Sequence, residues 1–133
     1  MNKNDLTAAA SKAREYAHAP YSNFNVGAAL ITKSGKVYTG SNVESSSFGL
    51  TICAERVALV KALSEGESEF EAISVVTETG ATPCGACRQL LWDYTKNIPV
   101  YVSNLEGEII EYNLAELLTN PFEFNKPFSD NEL

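Results

Sequence analysis

Apolar residues recur at helical spacing near the start of the chain, where Leu6, Ala9, Ala10, Ala13 and Ala17 form one stripe. The spacing predicts a helix over 5–17, capped by Asn4 or Asp5 and stopped at His18-Ala19-Pro20, where proline blocks continuation. Phe24 to Thr32 is apolar and rich in strand formers, and reads as a buried strand. Lys33-Ser34-Gly35-Lys36 is a hairpin turn signal, and Val37 to Val43 the returning strand. The polar run 44–51 is a loop. Thr51 is placed to cap a helix from about Ile52 to Leu63, with Val57, Leu59, Val60 and Leu63 apolar and Gly66 closing it. Phe70 to Thr77 is a strand. Gly80-Ala81-Thr82-Pro83 is a loop leading into a helix that carries Cys84, Cys87, Leu90, Leu91 and Tyr94. Ile98 to Ser103 and Glu108 to Tyr112 are strands around a turn at Leu105-Glu106-Gly107, and Leu114 to Leu118 is a short helix.

The element order is α-β-β-α-β-α-β-β-α. Strands alternating with helices imply βαβ crossovers and parallel pairing, and the early hairpin implies an antiparallel pair. The expected fold class is α/β: a three-layer α/β/α sandwich on a mixed, five-stranded sheet. A length of 133 residues fits one domain over 1–133, with a tail from about residue 123.

Composition narrows the functional classes. Hydrophobic residues make up 44% and charged residues 20%, which excludes low-complexity disorder and coiled coil. Apolar runs such as Val26 to Ile31 are too short to cross a bilayer, and Met-Asn-Lys-Asn-Asp lacks the apolar stretch of a signal peptide. The expected location is therefore cytoplasmic. The net charge is −7 and the ten basic residues are scattered singly, which argues against nucleic acid or an anionic membrane as partner.

Three cysteines, Cys53, Cys84 and Cys87, are an odd number for a disulfide framework. They sit in Thr51-Ile52-Cys53-Ala54-Glu55-Arg56 and Pro83-Cys84-Gly85-Ala86-Cys87-Arg88, each at an expected helix start. Free N–H groups and the positive dipole end found there favour thiolate over thiol. Cys84 and Cys87, three apart on one face, can grip one ion, and Cys53 supplies a third ligand. Soft thiolates suit zinc, one ion per chain. Three protein ligands leave the fourth position for water, which marks a catalytic site. Glu55, two residues after Cys53, is the carboxylate placed to shuttle protons beside it. A buried carboxylate there should have a shifted pKa. Zinc with three thiolates carries a formal charge of −1, so a cation should offset it. Arg56 and Arg88 follow the two motifs, and Arg56 is expected to donate hydrogen bonds to thiolate sulfur. The plainer readings are a closed structural zinc site completed by His18, or buried free thiols. Neither uses Glu55.

Taken together these segments resemble the zinc-dependent nucleoside and nucleobase deaminases, and most closely the small cytidine deaminases with three cysteine ligands. Pro20-Tyr21-Ser22-Asn23-Phe24-Asn25-Val26-Gly27-Ala28-Ala29 is similar to that family's P-Y-S-x-F-x-V-G-A-A segment, and Gly40-Ser41-Asn42-Val43-Glu44 to its G-x-N-V-E. Cys53-Ala54-Glu55-Arg56 and Pro83-Cys84-Gly85-Ala86-Cys87-Arg88-Gln89 follow in the same order, so the resemblance runs from about residue 5 to 122. It implies hydrolysis of cytidine or deoxycytidine to uridine or deoxyuridine and ammonia, a step of pyrimidine salvage. Cys53, Cys84 and Cys87 would hold zinc and Glu55 would move the protons. Phe24 would pack on the pyrimidine, Asn42 and Glu44 would bind the ribose hydroxyls, and the backbones of Ala54 and Thr82 would meet the base carbonyl and amino group. The family is typically a homotetramer with shared active sites, and Phe122 matches the aromatic that enters a neighbour's site. One departure is Ser45-Ser46-Ser47-Phe48-Gly49, where the family has an Asn-Ala-Ser-Tyr-like run. Phe48 lacks the phenol hydroxyl, which bears on sugar or subunit contacts. Two alternatives remain at this point: a deaminase of the same fold acting on a bulkier cytosine nucleoside such as blasticidin S, and a zinc-stabilised binding module without catalysis.

Overall fold

A computed structural model of the chain describes residues 1–124. The tail expected from about residue 123, with its aromatic Phe128, lies outside the described residues apart from Glu123 and Phe124. The elements are α1 (Lys3–Arg14), β1 (Gly27–Thr32), β2 (Val37–Ser41), α2 (Ala54–Ser64), β3 (Phe70–Val76), α3 (Gly85–Thr95), β4 (Pro99–Ser103), β5 (Ile109–Asn113) and α4 (Leu114–Leu117), in the expected order. A single 3-10 turn over Phe48–Leu50 interrupts the loop after β2.

The helix starts differ from those read in the sequence. Asn2, not Asn4 or Asp5, caps α1, its side chain accepting from the Asp5 amide, and α1 stops three residues before Ala17. α2 starts two residues late, with Cys53 rather than Thr51 at its cap position. The Thr51 hydroxyl is committed to the loop, accepting from the Ser45 amide at 3.1 Å. β1 begins only at Gly27, because Asn23 turns into the left-handed region and the backbone of Phe24 and Val26 is claimed by a side chain described below.

The sheet order is β2-β1-β3-β4-β5, with β3–β4 the parallel pair and the other neighbours antiparallel. β1 is antiparallel to both β2 and β3, so β2 and β3 run the same way with β1 between them. Two βαβ crossovers follow, β2-α2-β3 and β3-α3-β4. Their helices both start at the carboxyl ends of co-directional strands, where the crevice of an open α/β sheet lies. That connectivity brings the two cysteine segments together.

Alternating side chains of the central strands face two helical layers. Ala28, Leu30, Ile73, Val75, Val100 and Val102 pack on Ala58, Leu59 and Ala62 of α2, Leu91 of α3 and Leu114 of α4. Ala29, Ile31, Ala72 and Val76 pack on Leu6 and Ala10 of α1. The three layers therefore follow the α/β/α expectation.

Two glycines set how closely these layers approach. A Cβ on Gly27 would run into the Ala10 carbonyl of α1, and one on Gly40 into the Ala54 carbonyl and the Ala58 amide at 2.6 Å. The collision partners at Gly40 are backbone at the start of α2, which cannot rotate away. Gly40→Ala should therefore cost about 1–3 kcal/mol. Because it pushes on the turn carrying Cys53 and Glu55, it should also weaken metal retention. Urea denaturation with zinc analysis checks both, and an unchanged midpoint would contradict the packing.

Candidate active site

Cys53 and Cys84 are the cap residues of α2 and α3, neither making a side-chain capping bond, so both stand at the positive, N–H ends of their helices. Cys87 is one turn into α3 and fully buried. The sulfurs lie 4.0 Å apart for Cys53–Cys84 and 3.5 Å for Cys84–Cys87, and all three lie within 4.8 Å of one another. Ligands about 2.3 Å from a tetrahedral zinc are about 3.8 Å from each other. The donor set and its spacing therefore fit zinc. His18 is not part of the cluster, which removes the closed site it would have completed. Its backbone instead bonds to Asn42 and Glu44.

The three sulfurs share charge unequally. Hydrogen bonding with the thiols of Cys87 and Cys84, helped by Arg56, holds the Cys53 thiol down to about 5. The same bond to Cys53, with burial and the charge of Glu55, pushes Cys87 well above the ordinary thiol range. Such crowding of thiols is relieved by a cation that takes all three as thiolates. Arg56 adds positive charge beside Cys53. Its Nη2 donates to the Thr51 carbonyl at 2.6 Å, and its Nε is buried with no hydrogen-bond partner among the described residues. Arg88 turns away from the sulfurs and donates only to oxygens.

Glu55, in the first turn of α2, is 4% exposed. Burial, with the negative charge of Cys53, pushes its carboxyl up to about 7. A carboxyl that exchanges its proton near neutrality is suited to proton transfer.

Glu55, Cys53 and Cys84 open onto a cavity of about 260 Å³, which the structure also lines with Phe24, Asn42, Glu44, Ala54 and Thr82. Eight residues singled out in the sequence thus meet around one space. Phe122 does not line it. Its ring is 67% exposed, packs edge-on against Phe124, and its carbonyl accepts from Gln89. A larger cavity of about 410 Å³ between α1, β2 and α2 has lysines at its rim and is lined by no cysteine or carboxylate.

Asn42 and Glu44 each do more than line the wall. The buried Asn42 amide accepts from the Val26 amide at 2.9 Å and donates to the Phe24 carbonyl at 2.8 Å, so it holds the segment that presents Phe24. The Glu44 carboxylate accepts from the Ser22 hydroxyl and from the amides of Tyr21 and Ser22, which holds it below the usual carboxylate range. Asn42→Ala leaves two backbone groups of that segment unpaired, at about 1–3 kcal/mol. Its expected signature is a lower unfolding midpoint together with a raised KM. A raised KM with unchanged stability would show that the amide acts on ligand alone.

The sequence reading missed Ser22 and Thr77. Ser22 binds Glu44 and also accepts from the Phe24 amide. Thr77, one residue past β3, accepts through its hydroxyl from the Gly80 and Ala81 amides and so folds the loop that leads to Cys84. Ser22 stands within the family-like segment Pro20 to Ala29, and Thr77 ends the apolar run 70–77 just before a glycine loop, but neither residue type by itself marks the bonds it makes.

The chain matches the family model for the cytidine and deoxycytidylate deaminase zinc-binding region over residues 1–102. It is 46% identical over 125 residues to a cytidine deaminase of Sporosarcina psychrophila, covering 92% of each chain. It is 48% identical to one of Halalkalibacterium halodurans, covering 92% of this chain and 95% of the relative. Its fold superposes on the crystal structure of a cytidine deaminase from Burkholderia pseudomallei with a TM-score of 0.89 and 48% identity, over 92% of this chain and 100% of that one. No helix among the described residues is long and apolar enough to cross a membrane.

Proposed function

This chain belongs to the cytidine and deoxycytidylate deaminase family, and from that premise we propose that it deaminates cytidine and deoxycytidine hydrolytically, releasing uridine or deoxyuridine and ammonia. The observation that carries the reading is the buried Glu55 carboxyl, opening with the sulfurs of Cys53 and Cys84 onto one cavity. A zinc-stabilised binding module has no use for an ionisable group buried there. The cavity of about 260 Å³ falls at the small end of ligand pockets, which favours a plain nucleoside over a bulkier one.

Cys53, Cys84 and Cys87 are the zinc ligands in this reading. Zinc, when bound, supplies a Lewis acid that activates water for attack on C4 of the base. Glu55 takes a proton from the attacking water and delivers it to N3, then takes the proton of the hydroxyl newly added at C4 and passes it to the departing amino group. The pyrimidine lies against Phe24. The base carbonyl meets the backbone of Ala54, and the amino group that of Thr82. Asn42 and Glu44 receive the sugar hydroxyls. Each retains acceptor or donor capacity beyond the bonds it makes within the chain. Arg56 offsets the negative charge of the ligand set.

A homotetramer with shared sites accords with the exposed apolar side chains Phe48, Leu50 and Ile52 on either side of Thr51, which lines the cavity, and with an exposed Phe122 that does not line its own cavity. Three free thiols accord with a cytoplasmic location. Light scattering on the purified protein should give four times the 14.4 kDa chain mass.

The test of function follows ultraviolet absorbance of cytidine and deoxycytidine with zinc-analysed protein. Conversion to the uracil nucleoside with ammonia release is the expected result. Absence of turnover at one zinc per chain would remove plain nucleosides as substrates.

A further inference from the structure

Among the described residues, Arg88 is the strongly bonded cation near the site to which the reaction gives no task. Its guanidinium reaches three separate oxygens, each at 2.7 Å: Nε donates to the Pro83 carbonyl, Nη2 to the Thr82 hydroxyl, and Nη1 to the Leu117 carbonyl. Thr82 and Pro83 directly precede the ligand Cys84, and Thr82 lines the cavity. Leu117 ends α4, on the far side of α3 in sequence. The neighbouring Gln89 holds the Phe122 carbonyl at 2.9 Å, and Lys96, the residue capping α3, pairs with Glu123 at 3.6 Å, so α3 and its cap tie down Leu117, Phe122 and Glu123.

We propose that Arg88 is a positioning residue of the deaminase site: it locks the Thr82-Pro83-Cys84 loop onto α4, setting where the Thr82 backbone and the Cys84 sulfur stand. The loop has few other ties. Its upstream half hangs on the Thr77 hydroxyl, and proline at 83 has no N–H to donate. A planar guanidinium can serve three acceptors in fixed directions, whereas a lysine ammonium gathers its donors on one atom and cannot span them. The loop's position therefore depends on the shape of the side chain and not only on its charge. This proposal rests on the deaminase reading of the site.

The experiment compares wild type, Arg88→Lys, Thr82→Val and the double variant as zinc-loaded enzymes. It reads kcat and KM for cytidine, the rate of zinc transfer to a chromogenic chelator, and the thermal midpoint. Arg88→Lys should lower kcat/KM and speed zinc transfer by about 10–100-fold, the usual size of losing a partner that orients a metal site. Thr82→Val should shift both in the same direction by less. The double variant should be no worse than Arg88→Lys, because both remove the same bond. A lower thermal midpoint with kinetics and zinc transfer within twofold of wild type would reduce Arg88 to a structural staple and overturn the proposal. If Arg88→Lys does not fold, Thr82→Val decides alone: faster zinc transfer supports the lock and an unchanged rate overturns it. Wild type that binds zinc but turns over no cytidine would instead overturn the deaminase reading, and zinc transfer would still judge the lock.

Discussion

Glu55→Gln should lower cytidine turnover by about 10²–10⁴-fold while leaving about one zinc per chain in place. The substitution keeps the shape of a side chain that is 4% exposed, so neither the cavity nor the packing of α2 should change. What it removes is a group whose proton comes and goes near neutral pH. A glutamine can donate and accept hydrogen bonds but cannot ferry protons from water to N3 and on to the leaving amine. The thermal midpoint should hold, since burying a neutral amide replaces burying a carboxyl that burial already pushes up to about 7. Zinc analysis, kcat and thermal melting on one preparation separate the outcomes. Turnover within tenfold of wild type would take the proton-transfer role away from Glu55.

Removing zinc should be at least as damaging, and in two ways. Turnover should vanish on chelation and return on adding one equivalent of zinc. Stability should fall as well, because the site ties the start of α2 to the start of α3, and a metal that binds only the folded chain stabilises it by mass action. Free zinc at a thousand times its dissociation constant adds about 4 kcal/mol, worth roughly 15 °C in a chain of this length. The gap between zinc-loaded and zinc-free protein should narrow in acid. Ligand thiols must be deprotonated, so affinity falls as pH falls, and the chain should shed zinc at low pH before it would at neutral pH. Calorimetry at several pH values, with and without chelator, measures this. Equal midpoints with and without metal would mean that the three sulfurs hold no ion.

Much of the site was legible because its chemistry is local. C-x-x-C puts two sulfurs on one helical turn whatever the fold, and Cys-Ala-Glu-Arg fixes Glu55 and Arg56 relative to Cys53 by helix geometry alone. Strands were legible wherever apolar, β-branched residues ran together, as in 70–77 and 98–103. Helix ends were less so, since several residues compete for each cap. Thr51 is a stronger capping residue than Cys53 in general, yet its hydroxyl is drawn to the Ser45 amide by the loop it closes. Asn2 wins over Asn4 at α1 because its side chain reaches the Asp5 amide from outside the first turn.

The sequence alone determined the order of elements, the three thiols and the carboxylate beside them, because those depend on residue type and short spacing. Only the tertiary structure decided that β3 lies beyond β1, antiparallel to it, so that two crossovers share a direction and two helix starts 31 residues apart meet with their sulfurs 4.0 Å apart. It alone assigned the arginines. Arg56 and Arg88 follow their motifs in the same way, but the first lies beside Cys53 while the second reaches the α4 carbonyl at Leu117. Such partners lie far along the chain, and which acceptor a long, flexible cation finds depends on the packing of whole elements, which short-range spacing does not encode.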